Sequence, residues 1–281
     1  MRLLKSHVLF LIFALISLLF SSCSDSQNNI GIGVSEDKAA EEIFNSGERE
    51  LLRRRYDDAA EKFKEVERLY PYSDWAKRAL IMQVYSFHKD KEYENVVSAA
   101  NRFIEFHPKD KDIPYAYYLI GLSYYDQVLA IGRDQKLTQE ALKIFELIID
   151  EYSDSEYASS SQIKFDFLKN QLASKEMEVG RYYLKRSHYV SAINRFRGII
   201  EDFSTTSQVP EALHRLVEAY LSLGLTDEAQ TAGAILGYNY KSSEWYERSF
   251  ELLRSKGLKP KSSGNSWLSQ IYRQVVKGQW L

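Results

Sequence analysis

Cysteine is nearly absent: Cys23 is the only one in 281 residues. That excludes a disulfide framework and any metal site built from several thiolates. Proline and glycine, the residues that break helices, number only 5 and 13, so helix is the natural expectation. No block of five like charges occurs, and the formal net charge is −2, which argues against the electrostatic footprint of a nucleic-acid binder. Long apolar runs are missing too. The longest, Val8–Phe20, contains Ser17 and falls short of the roughly 20 residues a membrane-crossing helix needs. Catalytic signatures are also lacking. The histidines His7, His88, His107, His188 and His214 include no HExxH pair, and no GxSxG, P-loop or strand-linked GxGxxG is found. Acidic pairs such as Asp57–Asp58 are ordinary on a solvated helix. The expectation is a protein with no catalytic residues, no metal and no cofactor, and not an enzyme.

What is present is ordinary in bulk, with 44% hydrophobic and 27% charged residues, enough for one large or two small cores. The N-terminus is distinctive. Arg2 and Lys5 precede the apolar Val8–Phe20, and the small residues Ser21 and Ser22 precede Cys23. This is the build of a secretory signal peptide. Its end resembles the bacterial lipobox, in which a lipid-modified cysteine becomes the first residue of the mature chain; Phe20 stands where that motif usually has Leu. Residues 1–22 are therefore expected to be a lipoprotein signal peptide and Cys23 the lipidation site. In that class an Asp directly after the cysteine often means retention at the inner membrane. Ser24 stands there, which favours the outer membrane. Residues 23–36 are polar and contain glycine, and read as a flexible tether. Loss of Arg2 and Lys5 with the leader moves the net charge from −2 to −4.

Internal repeats organise the rest. The segments "VERLYPYS", "IEFHPKD", "IIDEYSDS", "IIEDFSTT" and "GYNYKSS" each carry an aromatic or His (Tyr70, His107, Tyr152, Phe203, Tyr240), then Pro71, Pro108, Ser153, Ser204 or Lys241. Twelve residues before each of these breaks stands Ala59, Val96, Ala141, Ala192 or Ala229, and four further on Phe63, Ala100, Phe145, Phe196 or Gly233. A-x₃-F followed by a break eight residues later is the second half of the tetratricopeptide pattern. The first half is clearest in "YLIGLSYY", where Tyr117, Ile120, Gly121 and Tyr124 match W-x₂-L-G-x₂-Y with conservative replacements. Val179, Gly180 and Tyr183, and Leu213, Leu216 and Tyr220, fall at the same offsets. The small residue lets two helices approach, and the Phe one turn later fills their seam. A hairpin cannot bury its stripe alone, so neighbours stack.

The fold class expected is all-α: a tetratricopeptide-repeat superhelix of about five helical hairpins with a C-terminal capping helix. The repeat domain spans 37–256, with repeats near 40–73, 77–110, 114–155, 173–206 and 210–243. The breaks lie 37, 45, 51 and 37 residues apart. The excess in repeat three falls in a loop around "AIGRDQKLTQ", and long loops are functional or disordered. The next excess reads in part as one long helix, dividing the chain into repeats one to three and repeats four and five. "SSEWYERSFELLRSKG" reads as the capping helix, ended by Gly257. Residues 257–281 are a Pro/Ser/Gly linker and an amphipathic helix with Leu268, Ile271, Tyr272, Val275 and Val276 at helical spacing. That helix either docks on the last repeat or binds a partner.

In tetratricopeptide folds the first helix of each hairpin lines a concave groove. The repeat offsets place Phe44 and Leu51, then Ile81, Tyr85 and His88, then Tyr115, Tyr118 and Tyr125 there. Rings suit an extended peptide, because they bury area at small entropic cost and leave a hydroxyl for backbone bonding. Met177, Arg181, His214 and Glu218 take the same positions in repeats four and five and are candidates for partner docking.

The pieces "RLYPYSDWAKRA", "PYAYYLIGLSYYDQ", the "RDQ" loop at 133–135, "EMEVGRYYLKRSHYVSAINRF" and "EALHRLVEAYLSLGL" go beyond the generic repeat. From about Ala39 to Leu253 the chain resembles the BamD (YfiO/ComL) family, lipoproteins of the outer-membrane β-barrel assembly machinery. Ser153 and Ser204 in place of the repeat-ending Pro depart from the family pattern, as does the C-terminal extension. The resemblance implies a lipid-anchored protein at the cell outer membrane, facing the periplasm. It implies docking on the periplasmic domains of the barrel-forming subunit, mainly through the C-terminal half, alongside other assembly lipoproteins. It implies a non-enzymatic scaffold that helps receive and insert unfolded outer-membrane proteins, with no nucleic-acid partner. The alternatives are another lipid-anchored repeat scaffold, such as a pilus-assembly lipoprotein, and a peptidoglycan-related enzyme. The uneven repeat spacing speaks against the first. The roughly 25 residues after Gly257 are too few for the catalytic domain of the second.

Overall fold

The computed structural model describes residues 28–128, 135–262 and 267–271. The described residues are helical with connecting turns, and no strand occurs among them. The chain forms two compact units that part between Leu119 and Ile120. The first holds α1 (Asn28–Leu52), α2 (Tyr56–Leu69), α3 (Asp74–Asp90), α4 (Tyr93–Phe106) and the start of α5 (Ile113–Tyr125). The second holds the rest of α5, then α6 (Lys136–Glu151), α7 (Glu156–Lys185), α8 (Tyr189–Asp202), α9 (Val209–Ser222), α10 (Thr226–Asn239), α11 (Glu244–Ser255) and the single-turn α12 (Trp267–Ile271).

Three of the hairpins close on a glycine and Phe pair. In the first unit Phe63 is fully buried, and a Cβ added at Gly47 would lie 2.7 Å from its ring. In the second, Gly121 stands in the same relation to Phe145 at 2.8 Å, and Gly180 to Phe196 more closely still. Phe145 and Phe196 are fully buried. Repeat five inverts the pair: Gly233 holds the Phe position, and Leu253 of α11 fills the space it leaves.

The repeats end on one shared corner. The amide N–H of Tyr70, His107, Tyr152, Phe203 and Tyr240 still donates to the carbonyl four residues back, at 2.8–3.1 Å. The carbonyl of each of the same five residues then accepts the N–H three residues ahead, from Ser73, Asp110, Ser155, Thr206 and Ser243, at 2.9–3.1 Å. These bonds satisfy the carbonyl end of one helix and aim the next, so Ser153 and Ser204 serve where another repeat has Pro. At Ser73 and Ser243 the hydroxyl also accepts from the first-turn amides of Ala76 and Tyr246, at 3.2 and 3.3 Å, as an N-cap.

Two sequence expectations are corrected. The tether ends sooner than residue 36, because α1 begins at Asn28. Gly31 and Gly33 are poor helix formers, but the helix propagates back from a packed stretch where Ala40 and Phe44 are buried. The long helix does not divide the chain. It runs 30 residues, Glu156–Lys185, and packs against both α6 and α8. Its buried residues form two patches, Ser161, Phe165 and Leu168 first and then Ala173, Met177 and Gly180, the second turned by about 120° around the helix axis. The actual boundary falls inside α5. Residues 1–22, Cys23, the loop residues Arg133 and Asp134, and 272–281 lie outside the described residues.

Candidate functional site

Repeat position alone put twelve side chains on binding faces, and packing separates them. In the first unit Tyr85 and His88 of α3 and Tyr115 and Tyr118 of α5 are half-buried, as is Leu51 at the end of α1. His88 meets Tyr93 edge-on at 6.3 Å. Phe44 and Ile81 are corrected from groove to core, 6% and 8% exposed. The ring of Phe44 lies 5.2 Å from Phe63 and 5.0 Å from Trp75, in the seam between hairpins. In the second unit half-buried Tyr125 meets Phe145 at 6.2 Å and the more exposed Phe167 of α7 at 5.8 Å, with the Lys164 ammonium 5.9 Å over its ring.

The second unit also carries a charged ladder across α7, α9 and α11. Arg181 of α7 donates through Nε to Glu211 Oε1 at 2.8 Å, and its Nη2 pairs with Glu211 Oε2. Arg215, one turn on in α9, donates through Nε to Glu211 Oε1 at 3.2 Å and through Nη1 to Glu218 Oε2 at 2.8 Å. Glu218 Oε1 stands 3.6 Å from His214 Nε2. The other nitrogen, His214 Nδ1, shares a 2.8 Å hydrogen bond with Ser249 Oγ of α11. Trp245 completes the ladder. His214 tilts against it at 5.3 Å, and the guanidiniums of Arg215 and Arg248 lie 5.4 and 5.0 Å from its centroid, within cation–π range.

The electrostatics follow from this geometry. Burial pushes the Glu211 carboxyl up, but Arg181 and Arg215 together outweigh it and hold it below the usual carboxylate range. Glu218 is likewise pushed up by burial and brought below its ordinary value by His214 and Arg215. Burial lowers the Arg215 guanidinium, and its bonds to Glu218 and Glu211 raise it overall. The ladder therefore stays ionised. Its open edge is a cavity of about 400 Å³ lined by Arg181, Lys185, Tyr189, Arg215 and Glu218.

Of the four docking candidates, Arg181 and Glu218 share this edge, with side chains 49% and 31% exposed. Met177 and His214 are corrected. Met177 is fully buried in the core of the second unit, and His214 is buried beneath the ladder and orients Glu218 rather than facing solvent. Position in the repeat missed Glu211, Arg215, Trp245 and Arg248. A signal for two of them was present: Glu211, Arg215 and Glu218 fall at i, i+4 and i+7 on α9, the spacing of a charged helix face.

A larger cavity, about 740 Å³, opens beside α7 and α8. Gln135 and Gln139 line it from the start of α6, Lys175 and Glu176 from α7, and Asn194 and Arg195 from α8. Arg195 Nη1 donates to Glu176 Oε2 at 3.0 Å. The lining is amide-rich and of mixed charge. Among the described residues no group of three or more His, Cys, Asp and Glu residues could hold a metal ion.

Residues 36–235 match the model of the family described as YfiO, outer membrane lipoprotein. The chain is 40% identical over 227 residues to the outer membrane protein assembly factor BamD of Caulobacter vibrioides, covering 81% of this chain and 74% of that protein. It is 40% identical over 213 residues to the protein of the same name from Rickettsia prowazekii, covering 76% and 85%. Among solved structures, the TPR2AB-domain:pHSP90 complex of yeast Sti1 is 13% identical with a TM-score of 0.40, covering 86% of this chain and 93% of that one.

Proposed function

The chain belongs to the YfiO family of outer membrane lipoproteins, and we propose that it is a non-enzymatic scaffold in the assembly of outer-membrane β-barrel proteins. The likeness to assembly factors at 40% identity over most of the chain carries this proposal. Cys23 bears the lipid anchor and holds the repeat domain at the periplasmic face of the outer membrane. The second unit docks on the periplasmic domains of the barrel-forming subunit, beside other assembly lipoproteins, through the edge that carries Arg181 and Glu218. Fixed ion pairs suit that task, since they set register and reject wrongly charged partners. The first unit receives unfolded outer-membrane proteins on Leu51, Tyr85, His88, Tyr115 and Tyr118, and Tyr125 offers a separate aromatic contact in the second. The scaffold supplies no bond chemistry; it raises the local concentration of substrate beside the insertion machine.

The test is capture from detergent-solubilised envelope by the full chain, read by mass spectrometry. Recovery of a large β-barrel protein with periplasmic domains is the expected result. Pilus components in its place would overturn the proposal. Substrate reception is tested separately. The triple replacement of Tyr85, Tyr115 and Tyr118 by Ala is expected to weaken binding of C-terminal peptides from outer-membrane proteins at least several-fold with helicity intact; unchanged affinity would sink it.

A further inference from the structure

Beyond α11 the chain turns back on its own last repeat. Gly257, at φ +70°, donates to the Arg254 carbonyl at 2.9 Å, and Leu258 N–H donates to Leu253 O at 3.0 Å. This paired closure reverses the chain direction. Residues 258–262 then run along α10 as an extended strap. Gln230 of α10 holds it at both ends of one peptide stretch: its side-chain Nε2 donates to Lys259 O at 2.7 Å, and its own carbonyl accepts from Lys261 N at 3.2 Å. Pro260 packs beside Gly233, its Cγ 3.8 Å from where a Cβ there would stand. The single turn α12 follows. Trp267 lies under the Arg197 guanidinium of α8 at 3.9 Å, and Leu268 is 1% exposed within the core cluster of the second unit. Ser262 Oγ and Ser269 Oγ, 3.1 Å apart, tie strap to turn.

These contacts have the form of a bound peptide. A five-residue helix has no stability of its own, so the seat orders it. The seat residues Arg197, Gln230 and Gly233 fall within the match to the family model, which ends at residue 235, before the strap begins. We propose that the α8–α10 face is a peptide-binding seat occupied in cis by residues 258–262 and 267–271, and that its partner in trans is a protein segment carrying an aromatic residue directly followed by a leucine-type residue. The tail supplies the chemistry of that partner: a flat ring for Arg197, an aliphatic side chain for the slot beside it, and an extended main chain for Gln230. Release of the tail is the condition for trans binding, which makes the strap a built-in competitor. The inference does not depend on the function proposed above.

The test uses the full chain and a labelled peptide of residues 258–271, with binding read by fluorescence anisotropy. In wild type the tail competes at an effective concentration in the roughly millimolar range. The Trp267→Ala/Leu268→Ala variant weakens the cis copy and is expected to bind the peptide saturably, at least about tenfold more tightly than wild type. Adding Arg197→Ala to that variant is expected to lower its affinity several-fold. Equal binding to wild type and variant would overturn the proposal, as would no saturable binding to a variant of intact helicity. Loss of helicity in the variant would do the same, by making the tail part of the core rather than a ligand. A concentration-dependent wild-type dimer would reassign the seat to the tail of a second copy.

Discussion

Gly180 shows how much rests on a missing methyl group. Phe196 occupies the space a Cβ there would need, and it is fully buried, so the ring has nowhere to go. Gly180→Ala is expected to lower stability by about 1–3 kcal/mol in urea unfolding, although alanine is the better helix former. Glu211 supplies a pH signature. Its folded-state carboxyl lies below the ordinary glutamate value of 4.5, so near that pH the unfolded chain binds more protons than the native one. Stability from the Arg181–Glu211–Arg215 contacts is then full above 4.5 and lost as pH falls through the depressed native value. The difference in stability between wild type and Glu211→Gln should shrink as pH is lowered below 4.5; a constant difference would contradict the ladder's ionisation. Residues with local partners were legible in advance, as the Gly and Phe offsets were. Glu211 was not, because Arg181 lies 30 residues away on another helix and nothing in spacing announces that they meet.

At the scale of elements, the recurring corner explains why Pro is optional at the ends of repeats. Ser243→Ala removes a hydroxyl that both caps α11 and donates to Tyr240 O at 2.7 Å, and is expected to cost about 1 kcal/mol in thermal or urea unfolding. Leu168, fully buried in α7, is expected to cost about 2–5 kcal/mol on truncation to Ala. The helices, their order and their ends could be read from five breaks and a handful of offsets. The faces were harder. Successive helix residues turn by about 100°, so groove and core positions alternate within a turn. Only the packed neighbour decides that Phe44, Ile81 and Met177 go inward while Tyr85 stays half-open. The start of α1 was illegible for a related reason: local propensity disfavours it, and packing further along the same helix overrides propensity.

For the whole molecule, the one prediction that separates anchor from domain concerns Cys23. Cys23→Ala is expected to move the protein from the membrane fraction to the soluble periplasmic fraction without altering its helical content by circular dichroism. Retention in the membrane would mean that protein contacts, not lipid, hold it there. No described helix is long and apolar enough to cross a membrane. The division at Leu119 and Ile120 was not legible, since the sequence interrupts its repeat rhythm later, at α7. An interruption of rhythm and a break in packing are different things: α7 carries extra length and still packs against the helices before and after it.

The two buried patches of α7 give it a crank-like consequence. The second patch carries Gly180, which receives Phe196 of α8, and it is turned by about 120° from the patch that carries Leu168. The angle between them is set by the number of residues that separate them. One residue added between Leu168 and Ala173 would turn one patch by about 100° against the other, whereas seven would turn it by only about 20°. Length between the patches should therefore change only in steps of nearly whole revolutions, because any other step sets the two arms of the crank at the wrong angle.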